Sequence, residues 1–528
     1  MMRRSSLLAS ACLLAALAMP AGAQNLTITW GEDDNSARTY DPRVTQSRHE
    51  SQVIFQVFDQ LIASDGNNKL YPGLATEWTV APDARSITFK LRQGVTFHDG
   101  TPFDAEAVRF TFDTIADPKL GSQAAVDQLG PYAGSDILGP YEIRVNFKRP
   151  YGAAAASMAE NTLSIVSPTA VRKLGDAGFA AAPVGTGPFR FASWERGRQV
   201  VLERNDAYAW APGHMKPGPA KPARVIARFI PDASTRVAAL EAGEIDIADL
   251  TPMLDMQRFQ SDRKYKTMIG EATGLPFGVM LNSESGIFKD LRVRQAFVMG
   301  IDRKRLVDDL FFGLIKPAYG PLSTTTPAYW TDSEKYYPYD PKKAAALLDE
   351  AGWKPGPDGI RVKDGVRLAS NYDVGAPLEP DTAVDIQAQL KKLGFDLKIE
   401  IITFAKRDEL VMNAQNGIQP LRWIAGDPSL LEIQFHSRNI PTPGYNKFNY
   451  ARLRNPGLDA LLEQAAGAGN QKERDGLYFQ AQKIIMDSAV WVPIHDQVNT
   501  VAYRANRAGY VWARTQWCVL FKDVEEVK

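Results

Sequence analysis

The sequence predicts a mixed α/β protein, and three observations carry the prediction. Segments of period-two alternation interleave with capped helical segments from one end to the other, the pattern of α/β domains rather than of a bundle or a sandwich. The chain has 528 residues, 45% of them apolar, which is ample for a large core and more than one domain. Lysine plus arginine and aspartate plus glutamate both number 61, so no basic excess points to a nucleic-acid partner.

The first 23 residues read as a secretory signal. Arg3 and Arg4 precede an apolar stretch from Leu7 to Ala18, and Ala21-Gly22-Ala23 offers a small-residue cleavage site before Gln24. The apolar stretch is too short to span a bilayer, and no later run approaches the roughly 20 residues a transmembrane helix needs. Ala9-Ser10-Ala11 before Cys12 lacks the large aliphatic residue of a lipoprotein site, so a soluble periplasmic protein is expected. Processing at Ala23-Gln24 would remove Cys12 and leave Cys518 as a lone, packed thiol.

Along the mature chain, Ile87 to Leu91 alternates as a strand. Asp104 caps a helix whose staple is Phe103 with Val108, and Val108, Phe112 and Ile115 form its apolar face. Ile245-Asp246-Ile247 reads as a short strand. Asp340-Pro341 opens a helix with Ala344, Leu347, Leu348 and Ala351 on one face, stopped by Gly352. A helix bearing Leu390 and Leu393 ends at Gly394, and a strand follows with Leu397, Ile399 and Ile401 alternating. Asn455-Pro456 repeats the cap, ahead of Leu458, Leu461, Leu462 and Ala465, and Val490 to Ile494 is a further strand. Residues 212–222 and 354–359 read as loops.

Catalytic motifs are missing. His49, His98, His214, His436 and His495 stand at no metal-ligand spacing, so no metal is expected. There is no G-x-S-x-G elbow and no phosphate-binding loop, and Gly185-Thr186-Gly187-Pro188 lacks the third glycine of a dinucleotide fingerprint. Adjacent acids such as Asp33-Asp34 read as solvated turns. Neither catalytic residue nor cofactor is expected.

The block from Phe89 to Phe103, FKLRQGVTFHDGTPF, resembles the signature of the extracellular solute-binding proteins of family 5, which serve oligopeptide, dipeptide and nickel importers. Tyr40-Asp41-Pro42, Leu74 to Trp78, Gly185 to Phe189, Val293 to Phe297, Ile301-Asp302-Arg303, Glu350 to Trp353 and Trp491 to Ile494 follow in the family's order. The resemblance implies a bilobal periplasmic-binding-protein fold with three domains and a ligand cleft between lobes joined by a hinge. It divides the chain into a discontinuous domain I (24–60, 185–281 and 490–528), domain II (61–184) and domain III (282–489). It implies a non-catalytic monomer that captures a small solute, peptide or peptide-like, and delivers it to permease and ATPase subunits on separate chains. A metal chelate, an opine-like conjugate or an oligosaccharide is the alternative ligand, and a secreted hydrolase or a chaperone-like protein the more distant reading. His98-Asp99-Gly100 reads as a tight turn.

Two segments would line the cleft. The spacing from Tyr40-Asp41-Pro42 to Phe58-Asp59-Gln60-Leu61 puts Gln46, Ser47 and Arg48 where relatives face the ligand. In peptide binders the second segment is Trp-x-x-Asp with an acid-Pro pair after it, the Asp holding the peptide ammonium. Here it is Trp423-Ile424-Ala425-Gly426-Asp427-Pro428, with glycine at the acid's place. Either Asp427 moves in to serve an ammonium or the ligand has none. Trp423 would supply an aromatic wall, and Arg48 and Arg422 could take a carboxylate.

Overall fold

The computed structural model describes residues 25–33, 37–65, 69–375, 380–513 and 518–527. The expected signal segment, with Cys12, lies outside them. Three sheets organise the molecule. The first has seven strands in the order Tyr265–Glu271, Val498–Arg504, Ile247–Ala248, Thr27–Glu32, Arg224–Phe229, Gln199–Arg204 and Phe189–Glu195. Thr27–Glu32 runs parallel to both of its neighbours, so the parallel strands end together at Glu32 and Ala248. The second, antiparallel sheet joins Ala75–Val80, Ser86–Leu91, Glu142–Phe147 and Tyr132–Gly139. The third has the order Asp396–Ile402, Ala369–Gly375, Ile418–Ile424, Gly274–Leu281 and Trp491–His495.

The first two sheets, with their helices, make lobe 1, and the third makes lobe 2. In lobe 2 both sheet faces are covered, as a sheet with parallel strands requires. Val279, Tyr372, Val374, Ile418 and Ile494 face one core, while Leu275, Met280, Leu421 and Trp491 face another.

The local signals act as their chemistry dictates. Asp104 accepts from Ala107 N, Asp340 from Lys343 N and Asn455 from Leu458 N, each worth about 1 kcal/mol of helix stability. Val108, Phe112 and Ile115 are buried together under the second sheet. His98 donates its backbone N–H to Gly185 O at 2.9 Å, and its Nε2 lies 3.0 Å from Gly187 O. Burial pulls its imidazole down to about 4, a neutral turn residue that ties the second sheet to the first. Cys518 is fully buried, and burial pushes its thiol up.

Several expectations need correction. Strands Gly274–Leu281 and Trp491–His495, expected in domain I, pair with each other and with Ile418–Ile424 in lobe 2. The chain therefore crosses between lobes near residues 272 and 497, not at 281 and 490. Helix Pro168–Ala181, expected in domain II, buries Ala170, Val171 and Phe179 against the first sheet's core, and Tyr208 and Trp210 join the core of the second. No local signal marks these divisions, because what decides them is the partner against which each segment packs. Of the loop expected at 354–359, Lys354–Pro355 is the first strand of a small three-stranded sheet and residues 356–359 form the turn that leads to its second. Ile401 is exposed, on a strand that forms the edge of the sheet. The strand expected at Ile245–Ile247 is reduced to Ile247–Ala248.

Candidate functional site

Two extended segments carry the chain between the lobes, Glu271 to Gly274 and His495 to Val498. They are bonded to each other, Ala272 N donating to Gln497 O at 2.9 Å. Gly274 has φ +118°, and a Cβ there would stand 2.2 Å from Trp423 O, so only glycine fits. The Gln497 side chain donates to Leu275 O at 2.6 Å and to Trp423 O at 3.3 Å, both in lobe 2. Two residues on, Asn499 donates to Asp249 Oδ1 at 2.7 Å in lobe 1. Residues two apart on extended chain are roughly 7 Å apart. The crossover thus brings the Trp423 segment within reach of the ends of the parallel strands of lobe 1, where ligands of open α/β sheets bind.

At those strand ends, Ser47 caps helix Arg48–Val57 by accepting from His49 N, and Gln46 is exposed just before it. Arg48 donates to Asp249 Oδ2 at 2.9 Å and to Asp33 Oδ1 at 2.8 Å. His49 Nδ1 lies 3.1 Å from Asp33 and 3.6 Å from Glu32, so Asp33 is the partner at hydrogen-bond distance. Burial works against the imidazolium, yet the two carboxylates outweigh it and bring His49 up to about 9. Burial raises Glu32 too, up to about 7. Gln52 donates to Asp249, and Arg236 grips the Asp249 and Leu250 carbonyls. Arg48 is thus the centre of an ion-pair cluster, and its guanidinium is committed to carboxylates of its own lobe.

In lobe 2, Trp423 stacks edge-on to Phe448 at 4.8 Å, and Phe448 lies 6.2 Å from Tyr450. Strand alternation puts Arg422 on the opposite face from Trp423. Asp427 meets Arg474 through two parallel bonds, both 2.7 Å, and accepts from Ser429 N at 2.8 Å. Burial works to raise its carboxyl, but the Arg474 guanidinium holds it below the ordinary range. The structure therefore brings Ser47, Arg48 and Trp423 toward the crossover, leaves Gln46 at an exposed rim, turns Arg422 to the other face and engages Asp427 inside lobe 2.

Sequence reasoning missed most of the cluster. Asp33, dismissed as a solvated turn, is an ion-pair partner, and Glu32, His49, Asp249, Gln497, Asn499 and Arg474 were not singled out. One usable signal existed, since Asp33 and Asp249 both stand just past short strands and strand ends gather at one edge. The lobes also touch at a second place. Gly152 N donates to Ala466 O at 2.6 Å, and Arg149 approaches Glu432 at 3.9 Å. A Cβ on Gly152 would come within 3.0 Å of Ala468 O. The lobes are thus bridged at two places. Among the described residues no group of His, Cys, Asp and Glu could hold a metal ion, and no helix is long and apolar enough to cross a membrane.

Comparison with known proteins agrees with this architecture. The glutathione-binding protein GsiB of Shigella flexneri is 27% identical, over 99% of this chain and 98% of its own. NikA of Brucella suis, solved with Fe(III)-EDTA, superposes with a TM-score of 0.84 at 25% identity, covering 95% of this chain and all of that one. The periplasmic binding protein DppA of Helicobacter pylori, solved with the peptide STSA, gives 0.76 at 26% identity, covering 95% and 98%. The family model for bacterial extracellular solute-binding proteins, family 5 (middle), matches residues 69–440. The chain belongs to that family, and it is a solute-binding protein of the ABC-importer type rather than an enzyme.

Proposed function

We propose that this protein captures a peptide or peptide-like solute in the periplasm and presents it, with the lobes closed, to a permease made of separate chains. The observation that carries the reading is the Gln497–Asn499 bridge, which joins the Trp423 wall of one lobe to the Asp249–Arg48 cluster of the other. A solute lying on that bridge touches both lobes, so its binding energy differs between open and closed forms and shifts the population toward the closed one. The peptide-bound DppA and the glutathione-binding GsiB support the ligand class, and the Arg3-Arg4 to Ala23 pattern supports export. In this reading Trp423 and the Ser47–Arg48 helix start border the solute, and Asp427 acts through Arg474 as a structural pair.

Titration calorimetry with a defined tripeptide set, alongside small-angle scattering, tests it. Tripeptides should bind and reduce the radius of gyration, and Trp423→Ala should weaken binding about tenfold or more, the loss of a buried aromatic contact. Binding without compaction, or an unchanged affinity in Trp423→Ala, would sink the proposal.

A further inference from the structure

The face of the lobe 2 sheet that carries Trp423 also carries a row of polar side chains deeper in the lobe. Residues 419, 421 and 423 alternate onto that face, and Leu421 packs in its core. Tyr372 pairs with Ile418 in parallel register, so the next pair, Asp373 with Gln419, shares the Trp423 face. On the other side Asp373 pairs with Glu400, and Gln419 pairs with Met280, itself opposite Trp491. One row thus crosses all five strands as Glu400, Asp373, Gln419, Met280 and Trp491.

Asp373 is 1% exposed and Gln419 fully buried. Among the described residues no donor reaches either Asp373 oxygen, Gln419 Oε1 or the Tyr450 hydroxyl. The Gln419 amide nitrogen is turned to the Asp373 and Pro420 carbonyls at 3.4 Å, which leaves its oxygen free. The nearby cations are engaged elsewhere. Lys398 pairs with Glu400 and Lys406 with Glu409, while Arg407 pairs with Asp408 and lies over the Phe404 and Tyr450 rings. A buried carboxylate without a donor costs several kcal/mol. Burial, and Glu400 beside it, push Asp373 up to about 6, so it still carries charge at neutral pH. Among the described residues nothing repays that cost.

We propose that Asp373 and Gln419 floor a subsite, reached from the cleft past Trp423, Phe448 and Tyr450, that receives a cationic nitrogen group of the solute. Three acceptor oxygens on the floor match a donor-rich cation, and the aromatic side chains at the approach suit a cation's passage. The subsite supplies the acid that Gly426 withholds and that Asp427 spends on Arg474. It deepens the peptide reading, yet its chemistry needs no peptide bond.

The test separates the two. Calorimetry would use Ala-Arg-Ala, its neutral counterpart Ala-citrulline-Ala, and agmatine, which has the guanidinium without the peptide. Wild type should favour Ala-Arg-Ala over the citrulline peptide by at least tenfold and bind agmatine, and Asp373→Asn should erase both effects while still binding the citrulline peptide. If Asp373→Asn fails to fold, Gln419→Leu should reduce the same preference. Agmatine binding that depends on Asp373, with no peptide bound, keeps the subsite and ends the peptide reading. An arginine preference untouched by Asp373→Asn, or no binding of either guanidinium probe at millimolar concentration, overturns the subsite.

Discussion

The two lobes treat buried charge in opposite ways. In lobe 1, Asp33, Asp249, Arg48 and His49 answer one another at 2.8–3.1 Å, and Gln52 and Asn499 add donors to Asp249. In lobe 2, Asp427 is likewise answered by Arg474, but among the described residues no donor reaches Asp373 or Gln419 Oε1 on the sheet. A carboxylate answered by paired cations fixes geometry; one without a donor destabilises the empty protein and rewards whatever completes it. Substitutions that empty, titrate or remove each cluster should therefore act in different directions.

The largest effect should come from Arg474→Met, which strands Asp427 in a buried site. Urea denaturation should show a loss of about 3–5 kcal/mol, and Asp427→Leu added to it should restore most of the loss. Tripeptide affinity of the Asp427→Asn protein should stay within a few-fold of wild type, and a larger fall would return Asp427 to the ligand.

His49 should give the next effect. Its folded value of about 9 lies above the ordinary histidine value. Its contribution is therefore fully present below pH 6.5 and lost as pH rises through 9, about 3 kcal/mol in all. Denaturation series at pH 6, 7.5 and 9 should show this loss in wild type and a much smaller one in His49→Gln. Parallel curves for the two proteins would mean that the ring is not charged in the fold.

The smallest effect has the opposite sign. Asp373→Leu should stabilise the empty protein at pH 7.5 by about 1–2 kcal/mol, because an unanswered charge is replaced by an apolar side chain. A carboxyl raised to about 6 carries no penalty below pH 4, and the penalty grows as pH rises through 6, so the gain should vanish in acid. Destabilisation at neutral pH would mean that Asp373 is answered after all, and the contrast between lobes would fall.

Much of this architecture was legible in the residues. Asp104, Asp340 and Asn455 cap helices because their side chains act on backbone a few positions away, and local chemistry is readable locally. Trp423 and Ser47–Arg48 were expected at the cleft only through the order of motifs. The pairing of Asp427 with Arg474, 47 positions apart, and of Arg48 with Asp249, 201 apart, was not legible, because no local rule connects residues whose proximity is made by the fold. The same reason hid the assignment of strand Gly274–Leu281, whose apolar run would suit either sheet. Asp373 was invisible for a subtler reason, since an acid in an alternating strand reads as solvent-facing, and here that face is buried under a second core.

The bond from Ala272 N to Gln497 O leaves the molecule with a ribbon where the lobes meet, and a ribbon bends easily about one axis while resisting twist and shear. Lobe motion is thereby confined to nearly a single coordinate. Because that bond is made by backbone, side chains in the cleft can change without altering the path of closure. A lineage built this way can exchange one solute for another while the hinge stays the same.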